Sequence, residues 1–225
     1  EKPDIPVAFG PAFEGEKVRK EDAYIEWGGN KTQAFELLVM KDMGEIEDGK
    51  IQIIGEKNKE ILTKGGFIPM AFIIEVAGRK MEKDFEPVLE RQLHDFINEA
   101  QGVWQMGQRD IIWGRISKTA FSEGFRIEHL AKIYTAMVKS HFPAIVDKVQ
   151  VSIYTDEDKV LRLKEEAMLI FKERSEKIAN MTDESVDTFY SCILCQSFAP
   201  THVCVISPER IGLCGAYTWL DTKAS

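Results

Sequence analysis

Cysteine is absent from the first 191 residues of this 225-residue chain, and only four follow. That is not the scattered cysteine framework of a small secreted domain, so a reducing, cytoplasmic setting is expected. There is no run of about eighteen apolar residues of the kind that spans a bilayer. No signal peptide is visible either, and no membrane partner is expected. Basic residues are outnumbered, 29 Lys and Arg against 37 Asp and Glu, for a net charge of −8. Bulk nucleic-acid binding depends on neutralising phosphates and is disfavoured. No G-x-G-x-x-G, no nucleophile–histidine signature, no internal repeat and no low-complexity tract is present. An initiating Met is also missing, and a chain that begins at Glu1 is expected to be excised from something longer.

What remains is 44% hydrophobic, enough for a sizeable core in one large domain or in one domain plus part of another. The first stretch reads as β-rich. Ala23 to Trp27 and Ala34 to Met40 are strand candidates. Glu45 to Glu47 and Lys50 to Ile54 flank Asp48-Gly49, which predicts a hairpin. Pro69 to Ala77 (PMAFIIEVA) is an apolar run of strand length, suited to a central strand. Helices then alternate with strands. Asp84 is placed to cap a helix with Pro87 in its first turn, burying Leu89, Leu93, Phe96, Ile97 and Ala100 and ending at Gly102. Arg109 to Ser117 reads as a strand. Ile127, Leu130, Ala131, Tyr134, Met137 and Val138 mark a second helix, stopped before Pro143. Lys148 to Tyr154 alternates as a strand. Asp156 caps a third helix with Leu161, Leu163, Ala167, Ile170 and Phe171 available to pack inward, fading into the polar segment from Lys172 to Asp187. The expected fold is α+β: a mixed sheet with helices packed on it over residues 1–175, then a loop-rich cysteine segment over 176–225.

Two patterns carry chemistry. The first is Cys192, Cys195, Cys204 and Cys214, spaced C-x2-C-x8-C-x9-C. Four thiols in one short stretch suit a soft metal or an iron–sulfur cluster. Zinc takes four thiolates readily, but its ribbons and fingers usually pair two C-x2-C knuckles, and only the first pair is close here. Spacing alone leaves zinc, an iron–sulfur cluster and no metal open. His202 is read as a neighbour rather than a ligand.

The second pattern is GVWQMGQRDIIWGRIS, residues 102–117. On one strand, Arg109, Ile111, Trp113 and Arg115 share a face, and Asp110, Ile112, Gly114 and Ile116 the other. Arg79, Arg91 and Arg126 come from flanking elements. Arginine forks suit phosphate oxygens and indole stacks on a purine, so one reading is a site for a phosphorylated, nucleotide-like cofactor. The other is a solvated sheet face whose arginines pair with nearby acids around a partly buried Trp, and composition alone favours it. A third pattern is a decoy. Gly44 to Ile51 imitates a phosphate-binding G-x-x-x-x-G-K-[ST] loop, but has Ile51 at the last position, carries three acids, and precedes a strand rather than a helix.

At the cysteines a specific resemblance emerges. FYSCILCQSFAPTHVCVISPERIGLCGAYTW resembles the A-cluster segment of acetyl-CoA synthase, a nickel and iron–sulfur enzyme. Upstream, AGRKMEKDFEPVLERQLHDFIN, GVWQMGQRDIIW and FPAIVDKVQVSIYTDE resemble that family's middle domain. The resemblance covers essentially the whole chain, and it favours iron–sulfur over zinc. It implies that Cys192, Cys195, Cys204 and Cys214 hold a 4Fe–4S cubane and that Cys195 also bridges to a proximal nickel. In the family that nickel takes a methyl group from a corrinoid iron–sulfur protein and CO from a carbon monoxide dehydrogenase subunit. The resulting acetyl passes to the thiol of coenzyme A. Phe198 matches an aromatic near the metal centre, and Trp104 a tryptophan associated with CoA, although Trp104 is expected to lie before the Arg109 strand. The competing class is a non-enzymatic metal-binding or electron-transfer module with a four-cysteine zinc or iron–sulfur site.

The family completes its nickel site with a Cys-Gly-Cys, and the 225 residues contain none. The N-terminal domain of bacterial members is also lacking, as it is in archaeal ones. These residues alone are therefore expected not to perform the full reaction.

Overall fold

The computed structural model describes residues 2–55, 64–192, 201 and 203–224. They form two compact units, Glu1–Leu169 and Ile170–Ser225. The expected boundary at 175/176 falls in the same helix as this division. Among the described residues no helix is long and apolar enough to cross a membrane.

The first unit is α+β, built on two four-stranded mixed sheets rather than one. In one sheet, β1 (Ala23–Gly28) lies between the short β4 (Gly66–Phe67) and β7 (Ile111–Ser117), and β6 (Val103–Gln108) forms the far edge. In the other, β2 (Ala34–Met40), β5 (Met70–Ala77), β8 (Lys148–Tyr154) and β3 (Ile51–Ile54) follow in that order. β5 is an inner strand, parallel to β2 and antiparallel to β8. Its Met70, Ala71, Phe72, Ile74, Val76 and Ala77 are all buried, which is why its sequence is a nearly continuous apolar run, broken only by the half-buried Glu75.

Helices cover these sheets. α1 (Glu86–Glu90) packs on β2, and α2 (Leu93–Asn98) on β6. α3 (Lys118–Ser122) packs on β7, and α4 (Ile127–His141) spans β8 and β3. All six residues predicted for the buried face of α4 are buried. α5 (Glu157–Ala179) begins at Asp156, whose Oδ1 accepts from the Lys159 N–H at 3.1 Å. That cap contributes about 1 kcal/mol.

Four local expectations are corrected. Asp48-Gly49 does not join a hairpin. Gly49, at φ 75°, turns a corner that leads β3 into parallel pairing with β8. The corner docks on β8 through Gly49 N–H to the Val149 carbonyl at 2.8 Å and Val149 N–H to Asp48 Oδ1 at 3.1 Å. The single helix expected from Asp84 is two, with Phe85 rather than Asp84 at the N-cap of α1. The backbone tightens at the break, where Gln92 N–H bonds the Leu89 carbonyl three residues back. The apolar face of Leu89, Leu93, Phe96, Ile97 and Ala100 is nonetheless fully inside. α5 does not fade at Lys172, and in the first unit its buried residues are Val160 and Ala167, while Leu161 is exposed. Finally, the strand expected from Arg109 starts at Ile111. Residues 103–108 are a strand too, with Arg109-Asp110 as the turn of a β6–β7 hairpin.

The second unit, expected to be loops, contains regular structure. β9 (Tyr190–Cys192) and β10 (Cys204–Ile206) pair antiparallel, and α6 (Trp219–Ala224) follows. The Thr218 hydroxyl caps α6 by accepting from the Asp221 N–H at 3.3 Å, while Trp219 Nε1 donates to the Thr188 carbonyl at 2.8 Å.

Candidate metal and ligand sites

The β9–β10 ladder sets Cys192 directly opposite Cys204. Side chains opposed in this way have Cβ atoms roughly 4.5–5.5 Å apart, close enough to share one centre. Cys204 is buried, Cys192 half-buried and Cys214 exposed, and all three are free thiols. Cys214 sits at the tip of a tight loop closed by Gly212 N–H to the Tyr217 carbonyl and Gly215 N–H to the Gly212 carbonyl, both 2.8 Å. The Ala216 N–H points at the Cys214 sulfur from 3.5 Å. That donor, then the Tyr217 N–H, holds the thiol below its ordinary pKa. Backbone donors of this kind stabilise a thiolate, the form that ligates metal. The donor chemistry therefore fits a thiophilic centre. The geometry does not yet make one: among the described residues no three His, Cys, Asp or Glu side chains converge as a metal-holding group. Cys195 and Phe198, like His202, lie outside the described residues.

In the first unit, the hairpin register assembles a second constellation. Trp104 lies on β6, not before the strand, and faces Arg115 across the ladder, while Trp113 faces Met106. The two indoles meet edge to face at 5.5 Å. The Arg115 guanidinium sits 4.6 Å from the Trp113 ring centre and 5.8 Å from that of Trp104, within cation–π range. Arg115 is only 8% exposed. It donates to the buried Glu26 carboxylate and, at 2.9 Å, to the Val18 carbonyl. Beside Trp113 opens a cavity of about 390 Å³ walled by Gly29, Thr32, Met106, Ile111 and Lys164. Ile111 is 77% exposed, so this end of the hairpin presents apolar surface.

The other four arginines are differently placed. Arg109 stands in the hairpin turn at φ 58° and donates to the buried Glu90 at 2.6 Å. Arg79 forks onto Asp147 with both contacts at 3.2 Å, a well-exposed pair. Arg126 donates to the Phe121 and Phe125 carbonyls at 2.8 Å and lies over the Phe121 ring. Arg91 ends α1. Of the candidate ligand residues, then, the hairpin gathers Trp104, Trp113 and Arg115. Arg109, Arg115 and Arg79 are matched by carboxylates.

A buried polar network was not anticipated at all. Glu36, in the middle of the apolar AFELLVM of β2, is fully buried. Its Oε2 accepts from Gln105 Nε2 at 2.7 Å and from the Tyr134 hydroxyl at 3.4 Å. Gln105 Oε1 accepts from Trp27 Nε1 at 3.3 Å, and the Gln105 backbone is held at both groups by the Asn98 amide, at 2.8 and 2.9 Å. One acidic residue amid apolar neighbours was the signal available in the sequence.

The chain is thus an α+β unit of two mixed sheets followed by a unit whose two-stranded ladder opposes two of four clustered cysteines. Comparison with known proteins makes this specific. Residues 5–160 match the family of the CO dehydrogenase/acetyl-CoA synthase complex beta subunit, and residues 171–225 match the C-terminal part of the ACS/CODH beta subunit. The chain belongs to this family. It is 54% identical over 224 residues to the carbon monoxide dehydrogenase/acetyl-CoA synthase subunit alpha of Moorella thermoacetica, covering 100% of this chain and 31% of that protein. It is 46% identical over 222 residues to the acetyl-CoA decarbonylase/synthase complex subunit beta 1 of Methanocaldococcus jannaschii, covering 99% of this chain and 29% of that protein. It is 44% identical, also over 222 residues, to the corresponding beta subunit of Methanopyrus kandleri, covering 99% of this chain and 47% of that protein. The chain thus spans less than half the length of these relatives.

Proposed function

We propose that this chain is the CoA-handling and iron–sulfur part of a cytoplasmic acetyl-CoA synthase. In this reading it works beside a carbon monoxide dehydrogenase subunit and a corrinoid iron–sulfur methyl donor. The observation that carries the reading is the identity of 54% across the whole chain, cysteine segment included. Cys192, Cys195, Cys204 and Cys214 would hold a 4Fe–4S cluster, and Cys195 would reach a nickel with Phe198 nearby. When bound, the nickel–iron–sulfur centre supplies the metal site at which methyl, CO and CoA thiol are joined. The chain's own part is to present thiolates. The β9–β10 ladder opposes two of them, and the backbone N–H groups around Cys214 favour the ionised form of a third.

The test is anaerobic reconstitution with iron and sulfide. One brown cluster with four irons and four acid-labile sulfides per chain is expected, and Cys204→Ala should not retain it. Stoichiometric zinc without sulfide, persisting through reconstitution, would refute the cluster and leave a structural zinc module.

The CoA reading rests on the hairpin. A ligand at the Trp104–Trp113 face has the apolar cavity beside it and must find its phosphate partners locally, because the protein is acidic overall. Arg109 and Arg115, already matched by Glu90 and Glu26, support the face. Arg79, Arg91 and Arg126 stay candidates for phosphate contact, Arg79 only by exchanging its Asp147 carboxylate for the ligand. CoA should quench tryptophan emission in the wild type and much less in Trp104→Phe, with affinity falling as salt rises. Unchanged quenching in Trp104→Phe would move the site away from that ring.

A further inference from the structure

The β6–β7 hairpin is hydrogen-bonded to the second sheet at Glu36. The Glu36 backbone N–H donates to the Arg109 carbonyl in the hairpin turn at 2.9 Å. The Glu36 side chain accepts from Gln105, halfway along β6, at 2.7 Å. Gln105 cannot turn its amide around, because its Oε1 is taken by an obligatory donor, the Trp27 indole N–H. On the strand, Gln105 points inward between Trp104 and Met106, whose side chains take the other face.

The groups around Glu36 are Gln105 from β6, Tyr134 from α4 and Glu90 from α1. Arg109, the cation at the turn, bonds Glu90 at 2.6 Å. Among the described residues, Glu36 Oε1 is buried with no hydrogen-bond partner. An unpaired buried carboxylate is far costlier than a neutral acid in the same place.

We propose that Glu36 is a proton-operated fastener and positioning residue: as a neutral acid it seats the β6–β7 hairpin on β2, and on losing its proton it loosens the hairpin that carries Trp104, Trp113 and Arg115. The fastener stands on the network alone. Its consequence for CoA rests on the reading proposed above.

Burial, reinforced by the charge of Glu90, raises the Glu36 pKa from its ordinary 4.5 to about 8, against the opposing pull of its two hydrogen bonds. Tyr134, pushed well above its ordinary value by burial and by Glu36, keeps its proton throughout. The sign follows. Between 4.5 and about 8 the folded chain keeps a proton that the unfolded chain has released. Stability from this group is therefore full below the lower value and is lost as pH rises through the upper one.

The experiment is amide hydrogen exchange on the whole chain between about pH 6 and about pH 9, corrected for the intrinsic pH dependence of exchange. In the wild type, amides of residues 103–108 should lose up to roughly a hundredfold in protection across that range, about tenfold for each pH unit up to the seated pKa of about 8. Glu36→Gln, a permanent mimic of the neutral acid, should keep its protection at both ends. Infrared spectroscopy of the wild type supplies a second measure that needs no variant: a protonated-carboxyl C=O band should disappear with a midpoint near pH 8. The same pH profile in Glu36→Gln, or no such band at the acid end, overturns the proposal. If the fastener behaves as stated but CoA affinity ignores pH and the substitution alike, the CoA reading of the hairpin falls instead.

Discussion

Gly114→Ala should destabilise the first unit by about 3 kcal/mol or more, beyond the ordinary cost of one extra methyl group in a core. The reason is a close approach rather than a backbone constraint, since Gly114 is not among the positive-φ residues. A Cβ there would lie 2.7 Å from Nε1 of the Trp27 indole and nearer still to two of its ring carbons. Trp27 has nowhere to go. It is fully buried, its ring meets Phe72 edge-on at 6.1 Å, and its N–H is held by Gln105. Gly114 also pairs with Trp27 in the β1–β7 register, so neither backbone can retreat without breaking the ladder. Urea unfolding of the two proteins is the measurement. Trp27→Leu should be costly in the wild type, yet should recover part of the loss when combined with Gly114→Ala, because the smaller side chain vacates the volume the methyl group needs. A Gly114→Ala protein within about 1 kcal/mol of wild type would mean that the sheet yields there far more than close packing allows.

The same hairpin marks where reading the chain unaided stops working. β5, β2, β8 and α4 were legible because burial dictates their patterns: nearly continuous apolar runs for β5 and β2, an alternation for β8, and a 3.6-residue period for α4. β6 was not, because its inward positions include Gln105, a polar residue with no accessible surface, and the alternation of Val103, Gln105 and their neighbours looks broken. Missing β6 hid the hairpin, and with it the register that brings Trp104 opposite Arg115. Trp104, Trp113 and Arg115 were each picked out, but their grouping depends on which residue faces which across a ladder. Asp48-Gly49 misled for a related reason. Its glycine does adopt the positive φ that its sequence favours, but whether a turn joins partners or only rounds a corner is settled by distant strands. In the cysteine segment chemistry was legible from spacing. The opposition of Cys192 and Cys204 was not, because three-residue strands leave no periodic trace.

Arg115→Met should cost about 3–5 kcal/mol, the range for deleting one partner of a buried ion pair. The loss would come less from the missing attraction than from what is left behind. Glu26 is 7% exposed, and without the guanidinium its carboxylate is stranded in the interior, as is the Val18 carbonyl at 2.9 Å. The guanidinium also lies over the Trp113 ring at 4.6 Å, a contact that Met replaces in part with its own soft, apolar side chain. Removing both charges together should therefore be much milder than removing one. Arg115→Met with Glu26→Leu is expected within about 1–2 kcal/mol of wild type, a strongly non-additive cycle read by thermal or urea unfolding. The double variant then separates two roles for Arg115. If Arg115 only holds the hairpin, the refolded double variant binds CoA as the wild type does, and tryptophan quenching is preserved. If Arg115 gives its fork to a phosphate, as its chemistry permits, affinity falls by about ten- to a hundredfold although stability has returned, which corresponds to about 1.5–3 kcal/mol for a lost charge-assisted hydrogen bond. With Glu26 occupying the guanidinium inside the sheet, the first result is the one the geometry predicts. Additive losses in the stability cycle would show instead that Arg115 and Glu26 act independently.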